Sequence, residues 1–211
     1  MAISEPEELA WEKENAAQRV TTNRKKLDTA TGKEKEELPL LIGYYEGMVA
    51  TDKIIKTTLP DLTFRDSLWI YGSKKKIELV ELKNGHTASD VILIIPADGV
   101  VFMGDLLFVK RHPWLGDGKP ESWVESLQYI YNDTALKQFV PGHGPVGGKT
   151  EVKNLIQYIT DVQQLVLDAI KQQKPDSVIQ KTPVPAEYAY WKFENFFAPN
   201  LDFLCTELRQ K

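Results

Sequence analysis

Two continuous apolar runs, Ile92-Leu93-Ile94-Ile95 and Val100-Val101-Phe102-Met103, stand on either side of Asp98-Gly99. An Asp-Gly pair between strand-forming runs is a strong hairpin signal, because the tight turn needs positive φ and glycine accepts it without steric cost. Neither run alternates apolar with polar residues, so both faces of this hairpin are expected to be buried. Further β-branched or aromatic runs lie nearby at Leu62–Phe64, Ser67–Tyr71 and Ile77–Leu82, and the hairpin strands extend over Asp90–Pro96 and Val100–Leu106. Turn signals separate them: Pro60-Asp61, Gly72-Ser73 and Asn84-Gly85.

The flanking sequence reads as helix. Residues 4–57 predict a helical hairpin, with Ser4 and Glu7 as a capping box, Pro6 in the first turn, and a polar break over 21–33. Leu41, Tyr44, Tyr45, Met48 and Ile55 recur there at helical spacing. Pro120 opens another helix with Trp123, Leu127, Ile130 and Tyr131 inward. Gln138-Phe139-Val140 is a short strand, and Thr150 is expected to cap a long helix. That helix carries Val152, Leu155, Ile159, Val162 and Val166 on one stripe. The aromatic tail, Tyr188 to Phe197, reads as packing for a last helix from about Leu201. The expected organisation is a helical hairpin over 1–57 and an α/β region over 58–211, one domain in total, and 211 residues suffice for a real core.

Composition excludes several classes. An apolar fraction of 42% argues against disorder. The net charge of −4 leaves no basic footprint for nucleic acid, and Lys74-Lys75-Lys76 reads as a solvated hairpin tip. Cys205 is the only cysteine, so neither an internal disulfide nor a multi-thiolate zinc site can form. No apolar stretch approaches the roughly 20 residues of a membrane helix. The start, Met1-Ala2-Ile3 followed by acidic sequence, lacks the layout of a signal peptide, so a cytoplasmic location is expected.

Chemistry concentrates in three short phrases: Gly85-His86-Thr87, Gly104-Asp105-Leu106 and Pro141-Gly142-His143-Gly144. Each sets a metal-ligand side chain beside glycine, and two of them close a strand-like run. The chain has three histidines, and two of them are here. Imidazole and carboxylate are the donors a hydrolytic zinc needs, with a coordination position left for water, whose pKa the ion lowers towards 7. A competing signal is weaker. Gly147-Gly148-Lys149-Thr150 imitates the end of a phosphate-binding loop, but His143 stands where that loop needs its first glycine and Pro145 removes an N–H.

Together with Val101–Phe108 and Phe139–Val146, these phrases resemble the second half of the metallo-β-lactamase superfamily signature. The similarity runs from about residue 60 to 172. It implies a layered αββα fold, mostly antiparallel strands with helices outside, of which this chain would hold the C-terminal part. It also implies a two-zinc site. His86 matches the third histidine of the first zinc, Asp105 the bridging carboxylate, and His143 the last histidine of the second. The His-x-His-x-Asp-His loop that supplies the other ligands is absent, so each site would keep two protein ligands, and two readings of Met1 stand open, the true start or a residue internal to a longer protein. The implied activity is zinc-dependent hydrolysis of an ester, thioester, lactone or amide, with metal-bound hydroxide as nucleophile. The alternative is a non-catalytic pseudoenzyme or truncated scaffold. His112 and Trp114, in the loop after the Asp105 strand, are candidate substrate contacts. Expected partners are a small-molecule substrate and either a second copy or a missing N-terminal half, with no nucleic acid and no membrane.

Overall fold

The computed structural model describes residues 7–55, 58 and 60–210. The chain divides into two units, Met1–Thr63 and Phe64–Lys211. In the first, helix α1 (Glu7–Leu27) packs against helix α2 (Gly32–Thr51). The predicted break over 21–33 is much shorter than expected. Residues 21–27 remain helical, because no glycine or proline interrupts them and Thr21 Oγ1 donates to Ala17 O at 3.1 Å instead of competing with the helix. The buried line of α2 is Leu38 and Ile42, one turn apart, whereas Tyr44 and Ile55 are exposed. Ser4 and Pro6, expected at the first cap, lie outside the described residues.

Among the described residues the second unit holds one five-stranded sheet, ordered β1 (Ser67–Tyr71), β2 (Lys76–Lys83), β3 (Ser89–Ile95), β4 (Val100–Phe108) and β5 (Gln138–His143). The first four strands are antiparallel neighbours joined by short turns. The Asp98-Gly99 turn forms as expected: Gly99, at φ +66°, donates to Ile95 O at 3.1 Å. Leu62–Phe64 is not a strand; it runs as irregular chain ahead of β1. β5 lies parallel to β4. A parallel pair needs a crossover, and helix α3 (Pro120–Asn132) supplies it.

The long helix α4 (Lys149–Lys171), the short α5 (Asp176–Ile179) and the terminal α6 (Phe197–Arg209) complete the unit. α4 is capped by Glu151, not Thr150: its carboxylate accepts the Gly148 N–H at 2.7 Å, which an extended Gly148 ahead of the helix makes possible. α6 begins at Phe197, four positions before Leu201, because a 3-10 turn at Glu194–Phe196 leads straight into it.

Alternation along the strands sends Ile92, Val101, Met103 and Phe139 into one core with Trp123, Leu127, Leu155, Ile159 and Leu201 of the helices. The opposite face differs from expectation. Leu68, Leu79, Leu93, Phe102 and Val140 follow one another in register across all five strands, yet none is buried. Phe102 is 43% exposed and Val91 44%. The hairpin is therefore buried on one face only.

Candidate metal centre

His86 sits in the turn from β2 to β3. Asn84 enters that turn at φ +57°, a conformation asparagine tolerates better than most residues. Lys119, just before α3, presses on the turn from above, with its N–H shared between Asn84 O at 3.3 Å and Gly85 O at 3.2 Å. The His86 ring then rests at 5.3 Å, edge to face, on the fully buried Trp123.

Asp105 projects from an irregular part of β4. Pairing with β5 shifts register on both sides of Gly104, whose φ of +52° re-aims the strand. His143 ends β5, and its carbonyl accepts the Val109 N–H at 2.9 Å. Its ring stacks on Phe108 at 4.7 Å and 24°. Phe108 lies 5.8 Å from the His86 ring as well, so one phenylalanine touches both imidazoles. Gly142 has a steric role: a Cβ there would fall 2.1 Å from Asp105 Oδ1.

His143 Nε2 and Asp105 Oδ1 are 3.5 Å apart, both about half exposed. The hydrogen bond from His143 holds the Asp105 carboxyl below the usual range. Partial burial opposes this, and the charges of His143 and His86 reinforce it. Asp105 thus pairs with His143, whose ring shares Phe108 with His86. Two ligands at 2.0–2.2 Å around a tetrahedral zinc would lie about 3.4 Å apart, so the Asp105–His143 pair has the spacing of one coordination edge. Among the described residues, no three His, Cys, Asp or Glu side chains form a group able to hold a metal ion. The donors fit zinc as a pair; a full ligand set is not gathered.

His112 is placed differently from the expectation. Its side chain is 1% exposed, with Nδ1 2.9 Å from Tyr158 Oη and the rings of Trp191 and Phe197 each 5.9 Å away. It is a core residue of the layer between α4 and α6, not a wall of a cleft. Trp114 donates its Nε1–H to Asp117 at 3.0 Å and covers Gly116, where a Cβ would meet the indole at 2.3 Å. Asn200 ties down the same loop by accepting the Leu115 N–H at 3.0 Å and donating to Pro113 O at 2.8 Å. Sequence reading missed Phe108 as a support for both histidines; its only signal was its position at the end of the Asp105 strand.

A sheet with helices on its core face thus carries an imidazole–carboxylate pair at its strand ends. The sequence model of the metallo-beta-lactamase superfamily matches residues 22–143, more than half of the chain, and the chain belongs to that superfamily. Among solved structures it is similar to a metallo-beta-lactamase from Pontibacter korlensis, with 26% identity and a TM-score of 0.45, covering 53% of this chain and 54% of that one. It is also similar to the metallo-beta-lactamase FIM-1 from Pseudomonas aeruginosa in a mono-zinc form, with 24% identity and a TM-score of 0.37, covering 40% and 39%. The chain therefore spans about half the length of the first of these. No curated protein sequence matches it significantly. The fold is part of the metallo-β-lactamase-like layered sandwich, with helices at the N-terminal end.

Proposed function

We propose that this chain contributes His86, Asp105 and His143 to a zinc-dependent hydrolase centre acting on an ester, thioester, lactone or amide, and that the centre is incomplete in this chain alone. The observation that carries the reading is the 3.5 Å spacing of His143 Nε2 and Asp105 Oδ1 at neighbouring strand ends. When bound, zinc supplies Lewis acidity and lowers the pKa of a water it holds. The chain's own part is to present donors. Asp105, kept ionised by His143, is available as a ligand at neutral pH. Phe108 and Trp123 fix the planes of the two imidazoles and exclude water beneath them. A second reading, a non-catalytic scaffold, is favoured by the lack of a three-donor group among the described residues.

Zinc content after dialysis, with turnover of a generic ester and lactam, tests both. Expected are weak zinc uptake that Asp105→Asn and His143→Ala abolish, and little turnover. Zinc retention indifferent to both substitutions overturns the ligand assignment. Two tightly held ions with fast turnover overturn the incompleteness.

A further inference from the structure

Asp90, the first inward position of β3, spends its carboxylate on the turn that carries His86. We infer that it is the positioning residue for that imidazole, an inference that rests on His86 being a metal ligand. Asp90 Oδ2 accepts the Gly85 N–H at 3.1 Å. The Thr87 N–H is shared between Oδ1 at 3.1 Å and Oδ2 at 3.2 Å, and the Thr87 hydroxyl donates to Oδ1 at 2.9 Å. The donors thus come from the residues on both sides of His86, and none from His86 itself. A carboxylate is acceptor-only, and every group facing it here is a donor, so the match is complete and charge-assisted.

The rest of the turn is built around this contact. The Thr87 hydroxyl oxygen in turn accepts the Ser89 N–H at 3.3 Å, which orients it towards Asp90. A Cβ on Gly85 would lie 2.8 Å from Asp90 Oδ2 and 2.4 Å from Leu106, so only glycine lets the turn close onto the carboxylate. Asp90 is held in turn by the ladder, opposite Leu82 of β2. A rigid strand therefore sets the carboxylate, the carboxylate sets the backbone at 85 and 87, and the backbone sets His86 over Trp123. Preorganising a ligand through its supporting hydrogen bonds is typically worth 10–100-fold in metal affinity.

The test is a double-mutant cycle in the full chain, with zinc affinity measured by chelator competition and amide hydrogen exchange measured without metal. Asp90→Asn keeps the size of the side chain but turns a donor group towards donors. It should weaken zinc binding about tenfold and speed exchange at Gly85 and Thr87. In a His86→Ala background the same change should alter zinc affinity less than about twofold, because the residue it acts through is gone. Thr87→Val should show part of the effect, and Thr87→Ser should restore wild-type behaviour. An equal loss in the His86→Ala background would make Asp90 a general stabiliser and overturn the inference. So would unchanged zinc affinity and unchanged exchange in Asp90→Asn. If His86→Ala binds zinc as tightly as the wild type, the ligand reading itself fails and takes the inference with it, even where the turn amides open.

Discussion

Replacing Trp123 with Phe probes the support beneath the candidate site. Trp123 is fully buried on α3, and its Nε1–H donates to Leu106 O at 3.0 Å. Leu106 lies between the Gly104 and Phe108 pairings, in the irregular part of the β4–β5 ladder, so the indole takes over a role that regular pairing fills elsewhere. Phenylalanine is smaller by about 38 Å³, which at about 24 cal/mol per Å³ of cavity costs about 1 kcal/mol. Leaving the buried Leu106 carbonyl without its donor adds about 1–3 kcal/mol. The expected loss is about 2–4 kcal/mol, a large share of the roughly 5–15 kcal/mol typical of a whole domain. Urea unfolding measures it. Trp191, buried and stacked on Tyr158 at 4.9 Å, remains as a fluorescent reporter of this unit, beside Trp69 and Trp114. A loss below about 1 kcal/mol with an unchanged m-value would refute the reasoning, because it would mean that neither the indole N–H nor its second ring bears on the fold.

Three further outcomes follow from the same geometry. Gly142→Ala should displace both the Asp105 carboxylate, which a Cβ would approach to 2.1 Å, and the Gly104 backbone, which it would approach to 2.7 Å, and so abolish zinc uptake and lower the stability of the β4–β5 pairing; retained uptake at native stability in a urea melt would refute this. Asp105 has a folded pKa below its unfolded value near 3.8, so its contribution is present above that value and lost as pH falls through the lower folded pKa. With the group half exposed the contribution is small, and Asp105→Asn should flatten only the acid limb of a stability–pH profile; an equal change at pH 7 and pH 3 would contradict this. In the apolar row from Leu68 to Val140, Phe102 is 43% exposed and the others are half-buried, and large exposed apolar patches are rare on soluble monomers. Light scattering should show concentration-dependent pairing of two copies, weakened by Phe102→Asp; a monomer at every concentration would rule it out.

What the sequence made legible was local, and what it hid depended on partners far along the chain. The four antiparallel strands could be read because β-branched runs and an Asp-Gly turn act through neighbouring residues. The burial of their faces could not. Phe102 and Val101 are adjacent and equally apolar, yet one is 43% exposed and the other fully buried, because Val101 is on the face that packs against α3, α4 and α6 and Phe102 points the opposite way. His112 shows the same limit. Beside Pro113 and Trp114 in a loop it reads as a cleft residue, but Tyr158 on α4 and Phe197 on α6 enclose it, and nothing near position 112 announces either.

The glycines of the three phrases were visible as a pattern, and their reasons were not. Gly104 turns a strand at φ +52°, whereas Gly85 leaves room for Leu106 and the Asp90 carboxylate, and Gly142 for the Asp105 carboxylate and the Gly104 backbone. A shared motif thus hides two different physical demands. It follows that substitutions at these positions should fail differently: at 104 through backbone strain, at 85 through crowding of Leu106 and Asp90 beneath the His86 turn, and at 142 through displacement of Asp105 together with the strand backbone beside it.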